Sequence, residues 1–255
     1  MKNLHRLILA HAIVCVSPCA IAEDLSFLPR LTIGYMNYSL EIPSLFPGVV
    51  PTSKFEANTA VIGAGATLSW NRLYLDAYGQ TSGKMSDSLS VPILNYNEEY
   101  DGYLTDFLLA AGVNITDNFS IYMGYKYDKL DLSGNIGFNS NFQEDGYFLG
   151  ASYGWVIQGS GVLALNLAVA DLDGNLRFQT PALNADFDGT CNARGLSYGI
   201  SWKSAIIDNW GYSVALNGYQ YKFKDIVDKR FDITIPGEIL EDMFTVRVSI
   251  SYLFD

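Results

Sequence analysis

Apolar and polar residues alternate along most of this chain, and the alternation continues to its final residues. The last ten residues, VRVSISYLFD, place large apolar side chains at every second position: Val246, Val248, Ile250, Tyr252 and Phe254. The positions between them are mostly small or polar. Because successive side chains of a strand point to opposite faces, this period of two predicts a β-strand with one apolar face. Such a strand at a chain end needs a partner strand and an apolar medium to face.

Ten segments show the same alternation and are predicted to be strands: 31–40, 58–70, 73–81, 103–115, 119–132, 146–157, 162–177, 196–205, 210–223 and 243–254. Four junctions between them are as tight as hairpin turns: NR (71–72), TDN (116–118), QGSG (158–161) and IIDN (206–209). The other connections are predicted to be long loops rich in Pro, Gly, Asn and acidic residues, such as 43–57, 82–102 and 179–194. Short turns at one end and long loops at the other are typical of an outer-membrane β-barrel.

The two faces of the predicted strands differ in size and polarity. One face is large and apolar, as at Leu163, Leu165 and Leu167. The other is small and mostly uncharged, as at Ser249 and Ser251, where a soluble barrel would expose Lys and Glu to water. We therefore expect an all-β fold, an antiparallel up-and-down transmembrane β-barrel whose large apolar face meets lipid. Ten strands are expected, and eight or twelve stay open if a segment has been merged or split.

Aromatic residues gather beside the short turns and the carboxyl terminus: Trp70, Phe119, Trp155, Trp202, Trp210, Tyr252 and Phe254. They are predicted to form the periplasmic aromatic girdle, with a scatter of core aromatics as the alternative. An even number of strands places both termini in the periplasm and the long loops outside the cell.

The first 22 residues have the three parts of a secretory signal peptide. Lys2 and Arg6 precede an apolar run, and AIA (20–22) is a small-x-small cleavage site. Cleavage after Ala22 would leave residues 23–255 as a single barrel domain. Since two of the 16 basic residues leave with the signal and all 27 acidic residues stay, the net charge becomes −13. This acidic balance argues against nucleic acid as a partner.

Three segments of the sequence resemble segments of known outer-membrane proteins. VSISYLFD at the carboxyl end is similar to the recognition strand of Gram-negative outer-membrane proteins, which usually ends on an aromatic residue; Tyr252 and Phe254 match, and Asp255 departs from the pattern. TDNFSIYMGYKY (116–127) and IDNWGYSVALNGYQY (207–221) resemble the turn-plus-strand phrases of small OmpA-like, opacity-type barrels. The resemblance implies a cell outer membrane location and contact of the last strand with the barrel-assembly machinery. It names no activity.

Catalytic chemistry finds little support in the sequence. Outer-membrane enzymes such as proteases, phospholipases and lipid A-modifying enzymes rely on histidine, and both histidines, His5 and His11, lie in the predicted signal. Cys191 has no histidine to activate it and is predicted to be a passive loop residue, with an intermolecular disulfide as the alternative. We therefore expect no enzymatic activity, cofactor or resident metal.

Acidic residues of the predicted loops offer a possible surface chemistry: Asp87, Glu98, Glu99, Asp101, Asp186, Asp188, Asp225 and Asp228. They are candidates for binding divalent cations that bridge to lipopolysaccharide phosphates. The alternative is an ordinary solvated acidic surface.

Six charged residues are assigned to the lumen by the strand phasing: Asp76, Asp106, Lys126, Asp128, Lys203 and Arg247. Counting back from the TDN turn places Asp106 opposite Asp128, with Lys126 diagonal to Asp106. Because isolated charges are costly in a narrow interior, a paired network that plugs the barrel is expected. A selectivity filter is the alternative.

Two functions follow from these predictions. The first is a structural or surface-interaction platform that contacts outer-membrane lipid and lipopolysaccharide and presents long acidic loops to an extracellular ligand. The second is a narrow porin-like channel for small solutes or ions. The lumen aromatics predicted by the phasing favour the platform.

Overall fold

Twelve β-strands form the described part of the chain. The computed structural model describes residues 25–44, 52–91, 96–135, 137–181 and 185–254, so the signal peptide predicted for residues 1–22 lies outside the described residues. The strands are β1 (Ser26–Ile42), β2 (Ser53–Trp70), β3 (Leu73–Ser82), β4 (Met85–Val91), β5 (Tyr96–Asn114), β6 (Phe119–Gly134), β7 (Asn139–Ile157), β8 (Gly161–Thr180), β9 (Ala185–Ile207), β10 (Trp210–Asp228), β11 (Ile233–Ile235) and β12 (Ile239–Tyr252). No helix long and apolar enough to cross a membrane occurs among these residues.

Ten of the strands close into an antiparallel barrel, which confirms the predicted fold and strand count. Neighbours in sequence pair with each other, and the ring closes where β12 pairs with both β1 and β10. Short β4 pairs only with β5, and three-residue β11 pairs only with β10, so neither belongs to the ring. The terminal strand therefore has a partner along both edges, which explains its strand pattern up to the chain end.

One end of the barrel carries four short turns, the start of β1 and the end of β12. It is called the short-turn end below. The turns join β2 to β3, β5 to β6, β7 to β8 and β9 to β10. Asn71 and Asp208 hold positive φ angles of 53° and 46° in two of these turns. Asn and Asp tolerate this left-handed conformation better than other non-glycine residues, so the local sequence permits the two tightest turns.

At the opposite end, called the far end, the strands are longer than the sequence analysis predicts. β4 and β5 occupy most of the predicted loop 82–102, and β8 and β9 leave only four residues between them where 179–194 was assigned to a loop. The prediction of long acidic loops is therefore wrong for these segments, because backbone pairing continues past the apolar belt. All eight acidic residues assigned to loops lie in strands, and so does Cys191, which is buried.

The outer surface near the short-turn end is an apolar belt. Leu31, Ile33 and Leu167 are more than half exposed there, while small residues such as Ser120 and Ser152 face the lumen and are buried. Such an exposed band of large apolar side chains is what the hydrocarbon of an outer membrane requires of a barrel. In this zone the barrel has the lipid-facing exterior that the alternation predicts.

Towards the far end the polarity of the two faces reverses. The outer face becomes polar, as at Lys129 and Asp131, and the lumen fills with an apolar cluster, named the upper core. Its larger members are Met36, Tyr38, Leu40, Phe55, Met85, Tyr100, Leu104, Leu130, Leu132, Phe138, Phe142, Leu172, Leu176, Phe187, Tyr221, Phe223, Ile226, Ile239 and Met243. The expectation of a uniformly inside-out barrel is therefore wrong here. Strands that leave the bilayer meet water outside, so their apolar residues must turn inward.

Candidate functional site

The lumen holds a compact charge cluster beneath the upper core. The ammonium of Lys126 on β6 forms ion pairs with Asp128 of the same strand and with Glu144 of β7. All three side chains are at most 3 % exposed. The Lys126 nitrogen also lies 4.7 Å from the centre of the Tyr221 ring, which adds a cation–π contact. These contacts hold the Lys126 ammonium inside the lumen.

Two further carboxyl groups face this lysine cluster. Asp106 is the strand partner of Asp128 and accepts a hydrogen bond from the Gln80 amide at 2.9 Å. Glu241 of β12 is also buried. With four carboxyl groups around one ammonium, charge balance requires some carboxyl groups to retain protons in this interior. In this cluster Asp106, Asp128, Glu144 and Glu241 each have one buried carboxyl oxygen without a hydrogen-bond partner.

A second, separate ion pair lies nearer the short-turn end. Arg30 of β1 makes a two-pronged contact with Asp76 of β3, with Nη1 at 2.7 Å from Oδ1 and Nη2 at 2.8 Å from Oδ2. The Thr67 hydroxyl donates to the same carboxylate at 2.6 Å. Asp76 is fully buried, and this fork geometry is the one that best compensates a buried carboxylate.

The two remaining predicted lumen charges, Lys203 and Arg247, line a polar cavity near the short-turn end. The cavity measures about 150 Å³, and most of the described residues that line it carry a hydroxyl or amide group. The structure therefore divides the six predicted lumen residues among three places. It brings Lys126 and Asp128 together with Asp106 nearby, and it separates Asp76 from Lys203 and Arg247.

Several charged residues of the lumen were not predicted from the sequence, among them Arg30, Glu144 and Glu241. Arg30 lies in the first residues of β1, before the predicted strand start, although its alternation with Leu28 and Thr32 marks an inward position. Glu144 and Glu241 also precede the predicted starts of their strands. The segments of Glu144 and Glu241 lack the apolar outer face on which the strand prediction depends. The Arg30 segment has such a face, at Phe27 and Leu31, but the strand was predicted to start only at residue 31.

Apolar and aromatic layers complete the closure of the lumen. Tyr74, Tyr122 and Phe148 pack together within the belt, and the Tyr122 and Phe148 rings meet edge to face at 6.2 Å. A Cβ added at Gly112 would lie 2.2 Å from the Tyr74 ring, so glycine gives this ring its place against the wall. Leu28 and Leu253 form a small buried cluster at the short-turn end. These packed layers occupy the lumen at several heights, and the cavity of about 150 Å³ near the short-turn end remains open.

The aromatic residues proposed as a girdle lie on the outer surface at the short-turn end. Trp70, Trp155 and Trp210 are each more than two-fifths exposed. Trp202 donates a 3.4 Å hydrogen bond to the Tyr212 hydroxyl, and Phe119 is half-buried. Their placement suits residues that sit between lipid tails and headgroups.

The final residues join this aromatic surface. The Tyr252 ring contacts both Trp210 and Phe254, with centroid distances of 5.1 and 4.7 Å. Phe254 also exchanges backbone hydrogen bonds of 2.9 Å with Phe27. The last aromatic residue thus completes the seam between the first and last strands.

The described residues contain no group of three or more His, Cys, Asp or Glu side chains placed to hold a metal ion. The lumen thus contains two sets of buried ion pairs, the packed upper core and a small cavity lined by basic side chains.

Comparison with known proteins supports the fold. The sequence matches no protein-family model and no curated protein. The structure is similar to that of the outer membrane protease OmpT from Escherichia coli, with a TM-score of 0.65 and 12 % identity over 92 % of this chain and 99 % of that chain. The translocator domain of the autotransporter NalP from Neisseria meningitidis aligns with a TM-score of 0.46 and 11 % identity over 88 % of each chain. The similarity to OmpT, together with the closed ring of ten strands, shows that the chain has the outer-membrane β-barrel fold that its sequence predicts.

Proposed function

We propose that this protein is a closed barrel of the Gram-negative outer membrane that acts as a surface-interaction platform. Its short-turn end lies in the periplasm and its far end extends beyond the outer leaflet. The observation that carries this proposal is the packed part of the lumen, where the buried Lys126 cluster is followed towards the far end by the upper core. A barrel that conducts solutes needs a continuous polar path, and an apolar core of packed rings does not provide one.

The far end supports the platform role through its rigidity. Strands β8 and β9 pair without interruption from Val162 to Thr180, so this wall continues far above the apolar belt. Ion pairs join its outer face, including Arg177 with Asp188 at 3.4 Å and Lys229 with Asp188 at 3.2 Å. Exposed binding surfaces on such a rigid wall lose little conformational entropy when a partner binds.

Conductance separates the platform from the narrow channel. Purified protein, refolded in detergent, is inserted into planar bilayers at 1 M KCl, and an open porin is measured as the reference. The platform predicts no steady single-channel current. A steady current in most insertions would contradict the platform and support the porin-like alternative.

Accessibility labelling tests the orientation. The sole cysteine of the predicted mature chain, Cys191, is 2 % exposed, so background labelling is low. Arg230→Cys at the far end should react with a membrane-impermeant maleimide on intact cells, whereas Arg72→Cys in a short turn should react only after lysis. Labelling of Arg72→Cys on intact cells would contradict this orientation.

We further propose that lipopolysaccharide phosphates contact the outer face just above the belt. Arg194 on β9 and Lys222 on β10 are strand partners, and their side chains are 91 % and 50 % exposed. Leu196, the next outward residue on β9, belongs to the apolar belt, so both cations sit at headgroup height. Replacing both by Gln should weaken lipopolysaccharide-dependent thermal stabilisation. The double variant Lys129→Gln/Lys229→Gln is the control for loss of charge, and equal loss in both variants would contradict the site.

A further inference from the structure

A groove on the outer wall of the far end carries polar side chains that neither the lumen nor the apolar belt uses. Its volume is about 660 Å³, and it crosses the outward faces of β5 to β9. Outward side chains such as Asp131 and Asn139 line it between the inward, buried positions Leu132 and Ser140. Grooves of this size are typical of sites for small ligands, so this one is a candidate binding site.

The strand register arranges the outward side chains of the groove in two rows. The first row crosses five strands, and each member is the strand partner of the next: Tyr103, Asp131, Asn141, Arg177 and Asp188. The second row lies two residues nearer the far end and is built in the same way: Ser133, Asn139, Gln179 and Asp186. Because neighbouring strands lie about 4.8 Å apart and alternate residues about 7 Å apart, the two rows define a trough about 19 Å long.

The charges of the groove cancel in pairs. Each acidic side chain of the two rows has a basic partner within 4 Å: Asp188 with Arg177, Asp186 with Arg230 and Asp131 with Lys129. An ionic ligand would have to displace one of these ion pairs. The groove therefore favours a polar ligand without net charge.

Amide and hydroxyl groups of the groove remain available to such a ligand. The Gln179 amide and the Tyr103 hydroxyl make no side-chain hydrogen bond to any residue that the structure describes. Asn139, the strand partner of Gln179, donates one hydrogen bond of 3.3 Å to the Gly137 carbonyl and retains its amide oxygen as an acceptor. Because an amide both donates and accepts, these groups match a ligand whose own groups do both.

The backbone around the groove argues against an extended peptide as the ligand. Recognition by strand addition needs a free sheet edge, whereas the strands β6, β7, β8 and β9 are paired with one another through the groove. The half-exposed Tyr103 ring offers a flat apolar face instead. A pyranose has a C–H face that packs on such a ring and a rim of hydroxyls that both donate and accept. The groove therefore has the side chains that suit a sugar.

We propose that this groove binds a neutral oligosaccharide. The Tyr103 ring packs against one sugar unit, and the amides of Asn139 and Gln179 hydrogen-bond to the hydroxyls of neighbouring units. The length of the trough suits a short oligosaccharide better than a single sugar. The site specifies the kind of partner that the surface-interaction platform takes, and it rests on that proposed function.

Isothermal titration of the refolded protein with neutral tetrasaccharides tests the proposal. The detergent is lauryldimethylamine oxide, whose headgroup is not a sugar, and the probes are cellotetraose, maltotetraose, mannotetraose and chitotetraose. At least one probe should bind saturably near one equivalent. A heparin tetrasaccharide and a Ser/Asn-rich peptide are titrated for comparison, and both should bind more weakly than that probe.

Substitutions in the two rows show whether the binding takes place in the groove. Tyr103→Ala should weaken binding of the best probe at least tenfold, whereas Tyr103→Phe keeps the ring and should stay within about threefold of the wild type. Asn139→Ala/Gln179→Ala should also weaken binding at least tenfold. The matched control is Asn37→Ala/Asn58→Ala, which removes an exposed pair of amide strand partners on β1 and β2 and should bind like the wild type.

The proposal is overturned if none of the four tetrasaccharides binds, or if the heparin tetrasaccharide or the peptide binds more tightly than all of them. It is also overturned if the groove variants, shown to be folded by heat-modifiability, bind as tightly as the wild type does. Because binding is measured on purified protein, such a failure leaves the closed lumen and the orientation of the barrel unaffected. Labelling of Arg72→Cys on intact cells would instead contradict the orientation and leave the measured binding intact.

Discussion

Asp128 and Glu144 face each other as strand partners on β6 and β7, and both pair with the ammonium of Lys126. Two carboxylates on directly paired strand residues repel each other unless a cation or a proton lies between them. The lysine therefore acts as the link that allows two acidic strands to meet inside the barrel. The two ion pairs of Lys126 therefore allow the lumen to be tightly packed at a level where several acidic side chains point inward.

Lys126→Met is expected to destabilise the barrel strongly. The substitution keeps the volume and removes the only ammonium of the cluster, which leaves buried carboxylates without their cation at a cost of about 3–5 kcal/mol. Heat-modifiability and urea unfolding measure the loss. Lys129→Met, on the exposed face of the same strand, removes an ion pair with Asp131 and should cost less than about 1 kcal/mol. Equal losses of unfolding free energy in the two variants would show that the buried network contributes no more stability than a surface ion pair does.

Phe142→Ala is expected to open a cavity in the upper core. Phe142 packs edge to face on the fully buried Phe223 at 5.0 Å, and removal of such a ring costs about 3–5 kcal/mol. Phe231→Ala is the matched control, because Phe231 is 67 % exposed and should change the unfolding free energy by less than about 0.5 kcal/mol. Unchanged stability of Phe142→Ala would mean that the upper core does not hold the far end together.

Phe254→Asp is expected to impair assembly of the barrel in cells. The ring contacts Tyr252, and the backbone closes the seam with Phe27, so a charge at this position disturbs the last paired residue. The heat-modifiable folded form should fall in membrane fractions relative to the total protein. Phe231→Asp carries the same change on an exposed ring of the far end and should assemble normally. A normal folded fraction for Phe254→Asp would refute the role of this residue in recognition by the assembly machinery.

Acidification is expected to loosen the hairpin of β10 and β11 at the far end. Asp228 accepts hydrogen bonds from Arg230, at 2.9 Å from the backbone nitrogen and 3.1 Å from Nη2, and these contacts lower the pKa of Asp228 below its usual range. Since the folded pKa lies below the ordinary carboxyl value of about 3.9, the stabilisation is fully present above that value. It is lost as the pH falls through the lowered pKa.

Amide hydrogen exchange across residues 226–235, corrected for the intrinsic pH dependence, measures this effect. Protection in the wild type should fall between pH 5 and pH 2, while Asp228→Asn should show low protection with little change over the same range. The same pH response in both proteins would assign the effect to other carboxyl groups.

The sequence by itself determined the barrel and the side of each strand that faces lipid, and it predicted ten strands. Alternation is a local property, because the pleat sends successive side chains to opposite faces whatever the strand pairs with. Short turns also fix register locally, so the TDN turn was sufficient to place Asp106 opposite Asp128. The closing strand could be recognised from its last ten residues for the same reason.

Only the tertiary structure decided where the two faces exchange roles and which charges meet. The alternation that exposes Leu167 to lipid also buries Leu172 in the upper core, and nothing local marks the height at which water replaces lipid. Contacts across the lumen, such as Arg30 with Asp76, depend on the tilt and closure of the whole ring. The contact between Lys126 and Glu144 could be predicted only from the register of β6 on β7. The connection between these two strands was not predicted to be a tight turn, so the sequence did not give that register. Side chains from strands far apart in sequence meet only when the barrel closes, because closure alone sets the distances across its interior.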